Sequence, residues 1–97
     1  MAIIVSGTIH VDPARRDAFL RARVPILAHA REAPGCVDFA LSPDLLDAGR
    51  VNVYEHWRSR EELVAYRAGG GPELDDDSVP VEAAGVELHH ISSSEAP

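Results

Sequence analysis

Residues 50–58, RVNVYEHWR, alternate between apolar and polar side chains more regularly than any other part of the chain. Successive side chains of a β-strand point to opposite faces of the sheet, so this segment predicts a strand with two different faces. The odd-numbered apolar side chains share one face: Val51, Val53 and Trp57. The even-numbered side chains form a face able to hydrogen-bond, stack and transfer a proton: Asn52, Tyr54 and His56.

Three further segments, residues 3–11, 36–42 and 86–91, also show β-type patterning. Asp12-Pro13 begins a helix to about residue 33, in which Pro25 predicts a kink near residues 21–24. Ser59 and Glu62 form a capping box for a second helix to about residue 68, and residues 81–84 suit one short helical turn. The order β-α-β-β-α-β predicts an α+β, ferredoxin-like antiparallel sheet with both helices on one face.

Helices packed on the apolar strand faces predict a mainly aliphatic core: Val5, Ile9, Val37, Phe39, Leu41, Val51, Val53, Trp57, Val86 and Leu88. The opposite sheet face is then predicted to carry these side chains: Ser6, Thr8, His10, Cys36, Asp38, Asn52, Tyr54, His56 and His89. Such a face is too polar for a dry core, and poorer in Lys and Glu than an ordinary solvated face. It suits a ligand pocket closed by a second copy of the chain. Glu55, on the apolar side, is expected to pair with an arginine.

The composition narrows the class of protein. A chain of 97 residues predicts one domain, 1–97, with an acidic loop at 69–80 and a frayed tail at 92–97. The net charge of -7 argues against a nucleic-acid partner. No apolar run approaches the ~20 residues of a membrane-spanning helix. The start of the chain lacks the basic segment of a signal peptide, so a cytoplasmic protein is expected.

Metal and cysteine chemistry are not expected. His10, His89 and His90 lack the spacing of a metal site, and Cys36, the single cysteine, is interpreted as a small packed residue. The acidic run at residues 75–77 predicts a solvated loop, or a lid over the pocket mouth.

Three motifs carry a resemblance to a known family: Pro34-Gly35-Cys36, residues 53–57 (VYEHW), and residues 59–66 (SREELVAY). Over about residues 3–91 the chain resembles the antibiotic biosynthesis monooxygenase (ABM) domain family of dimeric α+β barrels. The resemblance implies a homodimer. It also implies cofactor-independent oxidation of aromatic polyketides or quinols, in which the substrate's own anion reduces oxygen with help from a Trp and an Asn.

Several residues of this chain compare with that family pattern. Asn52 and Trp57 match the Asn and Trp by residue type, and Tyr66 stands where a histidine of the second helix is often found. Haem-degrading relatives use an Asn on the first strand and a His after the Trp. This chain has Ser6 and Thr8 on the first strand and no His between residues 59 and 87, so no haem is expected.

The resemblance, together with the Asn-Tyr-His face of residues 52–56, implies a monooxygenase-like oxidoreductase that acts without a cofactor on a small aromatic or quinone-like molecule. His56 is expected to remove a phenolic proton, Asn52 to hold the carbonyl oxygen, and Tyr54 to stack on the ring. The other expected substrate contacts are Trp57, Ser6, Thr8, His10, Asp38, Tyr66 and His89. The alternatives are a non-catalytic, dimeric binding module, or an isomerase or cyclase. In the alternative interpretation of single residues, Trp57 belongs to the core, Asn52 ties off a loop, and Tyr54 and His56 pack at a dimer interface.

Overall fold

The computed structural model describes residues 1–73 and 79–97, which form one antiparallel sheet with helices on one of its faces. The strands are β1 (Ala2–His10), β2 (Cys36–Pro43), β3 (Arg50–Trp57) and β4 (Ala83–Ile91), in the spatial order β2-β3-β1-β4. The helices are α1 (Arg16–Ala22), α2 (Val24–Arg31) and α3 (Arg60–Ala68), with a 3-10 turn at Pro13–Arg15. The predicted α+β, ferredoxin-like architecture is confirmed. The acidic run at residues 75–77 lies outside the described residues.

Two apolar clusters lie between the sheet and the helices. One lies beneath α2 and α3: Ile3, Val5, Ala30, Phe39, Trp57 and Leu63. The other lies beside α1: Val11, Phe19, Val51 and Val79. The cluster members that lie on β1 and β3 are all odd-numbered, as the alternation predicted. Burial of these side chains supplies the main favourable free energy of folding.

The segment between β1 and β2 contains two helices rather than one kinked helix. Arg23 ends α1 and begins α2, with backbone angles φ -95° and ψ -1°, and Pro25 lies in the first turn of α2. Proline has no N–H to donate and its ring clashes with the preceding turn, so it is better accommodated at a helix start than inside a helix.

Ser59 caps the start of α3 as predicted, but the Glu62 side chain bonds to the Ser59 hydroxyl rather than to its backbone N–H, so half of the predicted capping box is formed. The Ser59 hydroxyl accepts a hydrogen bond from the Glu62 backbone N–H at 3.2 Å, and donates to Glu62 Oε1 at 3.0 Å. These bonds satisfy a backbone donor that the first turn of a helix leaves free. They also fix the direction of the Glu62 side chain.

A bulge in β2 moves one predicted residue from one face of the sheet to the other. Cys36 pairs with Trp57 and Asp38 pairs with His56, so Val37 is an extra residue with no partner on β3. Because side chains alternate between the two faces of a strand, one extra residue places the residues before it on the opposite face from the one predicted. The prediction that Cys36 lies on the open face is therefore wrong, because it packs against the first apolar cluster. Val37, predicted to be buried, is 51% exposed.

The edge strand β4 differs from its prediction in two ways. It begins at Ala83, so a helical turn over residues 81–84 is wrong. Val86 and Leu88 were predicted to be core residues, yet they stay 40% and 36% exposed. They do lie on the helix side, opposite Gly7 and Val5. However, the helices contact β2 and β3 more closely and leave this edge uncovered.

Gly7 is required where β1 meets β4. Its φ is 151°, and a Cβ at this position would collide with the backbone carbonyl of Gly85. Glycine can hold this conformation and permit the close approach. In the part of the chain that the structure describes, no helix is long and apolar enough to span a membrane.

Candidate functional site

A pocket of about 440 Å³ lies between α2 and α3, on the helix side of the sheet. Its walls include both small and functional side chains: His29, Glu32, Ala33, Glu62, Tyr66 and Gly69. The volume is in the range of pockets that hold small organic ligands.

The pocket forms because alanine and glycine residues beside the rings of Tyr66 and His29 leave space that larger side chains would fill. Ala33, two residues after α2, and Ala65 on α3 have small side chains, and α3 is followed by Gly69 and Gly70, which have no side chain to fill the gap. Tyr66 and His29 then stand at the edge of the space that remains, with ring centroids 5.6 Å apart.

Tyr66 joins the pocket to the core. Its ring lies 5.1 Å from the Trp57 ring and 6.3 Å from the Phe39 ring, measured between centroids. Aromatic pairs at these separations add to the stability that burial provides. The Tyr66 ring is thus held from behind while it also lines the pocket.

Behind Tyr66, Trp57 and Glu55 form a buried polar pair. Trp57 is fully buried, and its Nε1 donates a hydrogen bond to Glu55 Oε1 at 3.0 Å. Glu55 was expected to bind an arginine, but its partner is this indole. The two side chains lie two residues apart on the helix side of β3, as the alternation predicted.

The same environment shifts the pKa of two nearby groups. Burial, then the Glu55 carboxylate and Cys36, raise the pKa of Tyr66 above 10.0. Burial, then Asp38 and Glu55, raise the pKa of Cys36 above 9.0, with Arg31 opposing. Both groups stay protonated near neutral pH, so Tyr66 can donate a hydrogen bond and Cys36 is a poor nucleophile.

The opposite face of the sheet carries the other predicted site residues, in cross-strand rows. One row runs across all four strands: Asp38, His56, Ile4 and His89. The next row is Ala40, Tyr54, Ser6 and Glu87. A third is Ser42, Asn52, Thr8 and Gly85, and His10 lies beyond it beside Arg50. The helices pack on the other side, and Tyr54 is 38% exposed. We call this surface the open face.

Asn52 is already bonded within the open face. Its Oδ1 accepts from Arg50 Nε at 2.8 Å, and its Nδ2 donates to Asp44 Oδ1 at 3.2 Å. Asp44 also accepts from the backbone N–H groups of Leu46 and Asp47. The Asp47 backbone bond, then those from Asn52 and Leu46, lower the pKa of Asp44 below 3.8, although burial opposes them. Asn52 thus ties the β2–β3 loop to the sheet.

Arg16, the first residue of α1, also holds the β2–β3 loop. Its Nη1 donates to the carbonyl oxygens of Asp44 at 3.0 Å, Asp47 at 2.8 Å and Arg50 at 3.3 Å. His10 Nε2 lies 3.4 Å from Asp47 Oδ2. These contacts give the loop a defined shape at one end of the open face.

The ten predicted site residues therefore separate into two groups. Trp57 and Tyr66 lie on the helix side, and the other eight lie on the open face. Asp38 Oδ1 accepts a hydrogen bond from the Phe39 backbone N–H at 2.8 Å. Within residues 1–73 and 79–97, no group of three or more His, Cys, Asp or Glu side chains is arranged to hold a metal ion.

Comparison with known proteins decides the family. The family model for antibiotic biosynthesis monooxygenase, ABM, matches residues 2–71. The chain belongs to the antibiotic biosynthesis monooxygenase family. The match contains β1 to α3, and thus the residues that form the pocket.

Solved structures share the fold of this ABM chain at low sequence identity. A Deinococcus radiodurans protein named among the antibiotic biosynthesis monooxygenases is 15% identical, with 100% of this chain and 98% of that chain covered and a TM-score of 0.75. A Nitrosomonas europaea protein named in the same way is 15% identical, with 96% and 100% covered and a TM-score of 0.70. A heme-degrading protein from Mycobacterium tuberculosis is 19% identical, with 99% and 100% covered and a TM-score of 0.71.

One curated relative also matches. It is an uncharacterized protein from Synechocystis sp., 28% identical over 61 residues. The match covers 63% of this chain and 42% of the relative, so the chain spans less than half the length of that protein.

Sequence reasoning did not find three of the pocket residues of this ABM domain: His29, Glu32 and Glu62. A weak signal was present, because His29 follows the inward-facing Ile26 by three residues and Glu62 precedes Tyr66 by four. Residues at these spacings share one face of a helix. The alternation of β3, by contrast, predicted a site on the open face.

Proposed function

We propose that this ABM protein binds a small aromatic, quinol-like molecule in the pocket between α2 and α3 and catalyses its cofactor-independent monooxygenation. The observation that carries the proposal is the position of Tyr66, whose ring lines the pocket and is backed by the buried Trp57. A flat aromatic ligand can stack on such a ring. Membership of a monooxygenase family supports the reaction class.

His29 and Tyr66 supply the acid–base chemistry. His29 takes the phenolic proton of the substrate, and Tyr66, which stays protonated, donates a hydrogen bond to the resulting anion. The anion gives its electrons to molecular oxygen and a C–O bond forms. His29 returns its proton to the peroxide to form the hydroperoxide, which then loses water to leave a carbonyl. In the balance, a phenolic O–H, a ring C–H and O₂ become two C=O groups and H₂O, so the substrate itself is the reductant.

The test is oxygen consumption with an anthrone or hydroquinone substrate, together with product analysis. Removing a general base should lower kcat by about 100-fold in His29→Ala. Tyr66→Phe keeps the ring but loses the hydrogen bond, so it should lower kcat with little change in KM. Unchanged turnover in both variants, with the fold intact by circular dichroism, would reject this location.

The open face is a second location for the same reaction. There His56 would remove the proton, Asn52 would hold the carbonyl oxygen and Tyr54 would stack on the ring. The observation that favours it is that Tyr54 stays exposed beside a row of polar side chains. Loss of turnover in His56→Ala and Asn52→Ala, with full turnover in His29→Ala, would assign the reaction to the open face.

We also propose that the protein is a homodimer in which a second copy covers the open face. Tyr54, an aromatic side chain that stays 38% exposed on that face, supports this. Light scattering should give the mass of two chains for the wild type. Tyr54→Arg would place a charge in the interface and should shift the mass to that of one chain. A wild-type mass of one chain at high micromolar concentration would contradict the proposal.

A porphyrin fits this pocket poorly. It carries anionic propionate groups, whereas Glu32 and Glu62 line the walls and no lining residue among those described is Lys or Arg. The raised pKa of Tyr66 also disfavours the phenolate that would bind iron. The charge of the walls therefore favours an aromatic ligand that lacks anionic substituents.

A non-catalytic binding module is the alternative in a different class. The same pocket would then bind the aromatic ligand without turnover. Saturable binding that Tyr66→Ala removes, with no oxygen consumed and no isomerised or cyclised product across a quinol panel, would favour this alternative.

A further inference from the structure

The walls of the α2–α3 pocket are electrostatically negative. Glu32, at the end of α2, and Glu62, in the first turn of α3, both line it. Among the described lining residues there is no Lys or Arg. Neither carboxylate forms an ion pair with a described residue. A ligand in this pocket would therefore meet two carboxylates that form no ion pair with a described Lys or Arg.

Glu62 is held in place on two sides. Its Oε1 receives a hydrogen bond from the Ser59 hydroxyl at 3.0 Å. Its side chain also lies so close over Gly35, where φ is +84°, that a Cβ there would collide with the carboxyl group. Within the described residues, Glu62 Oε2 receives no hydrogen bond. A fixed carboxylate with one free oxygen is well prepared to accept a hydrogen bond from a ligand.

The two helices add to the negative potential. Glu32 is the C-cap of α2 and Gly69 is the C-cap of α3, and both line the pocket. Carbonyl groups at a helix C-terminus carry partial negative charge, so they attract cations and disfavour a carboxylate such as Glu32. The nearby Arg31 points elsewhere, because its Nε donates to the Phe39 carbonyl oxygen at 2.9 Å.

From these contacts we infer that the pocket selects aromatic ligands that carry a positive charge, such as a protonated amine, over neutral and anionic ones. The aromatic ring stacks on Tyr66, and the ammonium group binds between Glu32 and Glu62. The face of an aromatic ring attracts a cation as well, so Tyr66 adds to the preference. This inference rests on the proposed function, since it names the substrate class of the same pocket.

Three probes with one ring system test the inference: 1-naphthylmethylamine, 1-naphthalenemethanol and 1-naphthoate. Isothermal titration calorimetry at low salt should show the amine binding about tenfold more tightly than the alcohol, with the carboxylate weakest. Raising the ionic strength to about 0.5 M should reduce that preference, because salt screens charges at an open pocket.

Matched variants separate the pocket carboxylates from the general negative charge of the chain. Glu62→Gln keeps a side chain that can serve the capping box, and it removes the charge. Glu32→Gln removes the other charge. Glu61→Gln changes the net charge equally on an exposed residue of α3 that does not line the pocket. Each pocket variant should lower the preference for the amine about threefold, whereas Glu61→Gln should leave it unchanged.

The outcomes distinguish this inference from the proposed function. Equal binding of amine and alcohol by the wild type, or an equal loss of preference in Glu61→Gln, would overturn the charge selection. If binding still depends on Tyr66 in that case, the pocket assignment stands. If none of the three probes binds, or Tyr66→Ala leaves all three unchanged, the pocket assignment and the charge selection both fail.

Discussion

The two faces of strand β3 differ in how far the rest of the same chain buries their side chains. On the helix side, Trp57 is fully buried and its N–H is bonded to Glu55. On the open face, His56 and Tyr54, which flank Glu55 in the sequence, are covered only in part. Strand β3 thus has one face that is packed against the helices and one face that stays partly exposed.

Substitutions on the two faces are therefore expected to affect different properties: the stability of the single chain, or its binding to a partner or ligand. The helix side contains the apolar clusters, so we expect substitutions there to change the free energy of unfolding of a single chain. The open face contains cross-strand polar rows, whose neighbours each contribute less. Substitutions there should act mainly on a partner or ligand.

The largest expected effect follows from Trp57→Ala. It removes a fully buried side chain and leaves the Glu55 carboxylate without its donor, so the free energy of unfolding should fall by about 3–5 kcal/mol. Urea denaturation followed by circular dichroism measures the change. Where Trp57→Ala does not fold, Trp57→Phe keeps most of the volume and tests the lost hydrogen bond. The open-face control is Tyr54→Ala, and an equal loss there, measured on single chains, would contradict the comparison.

A smaller loss is expected for Asn52→Ala. The hydrogen bonds of its side-chain amide to Arg50 and Asp44 should contribute about 1 kcal/mol to the free energy of unfolding. Ser42→Ala, at the position paired with Asn52, is the matched control and should have less effect. Faster amide hydrogen exchange at residues 44–49 should accompany the loss. If exchange there were unchanged in Asn52→Ala, the role of Asn52 in the loop would be refuted.

The helix side should also lose stability at alkaline pH. The folded-state pKa values of Cys36 and Tyr66 are raised above 9.0 and 10.0, so the folded chain holds these protons more tightly than the unfolded chain. Their contribution is complete below those values and is lost as pH rises through the folded pKa values. Denaturation midpoints between pH 8 and 11 should fall less steeply in Tyr66→Phe than in the wild type. The same flattening in Tyr54→Phe would remove the distinction between the faces.

The smallest effect is expected at acid pH, at the loop beside the open face. The folded-state pKa of Asp44 is lowered below 3.8, so its contribution to stability is present above that value and is lost as pH falls through the folded pKa. Melting temperatures at pH 7 and pH 3 should differ less in Asp44→Asn than in the wild type. Asp17→Asn, an exposed acid on α1, is the control. An equal response of the two variants would argue against the loop bonds as the cause.

The sequence by itself determined the order of the strands and helices, the two faces of β3, and the cap of α3. Each of these follows from local rules: alternation separates Trp57 from His56, and the Ser59 hydroxyl meets the Glu62 N–H within one helical turn. The three motifs at residues 34–36, 53–57 and 59–66 also identified the ABM family, as the match of the family model to residues 2–71 confirms.

Only the tertiary structure decided the position of Cys36, the exposure of Leu88 and the bonding of Asn52. It also placed His29 beside Tyr66 at a pocket. The bulge depends on how many β2 residues pair with β3, and the pocket depends on the space left between two packed helices. Both are set by contacts between segments far apart in the chain, which the periodicity of a single segment does not encode.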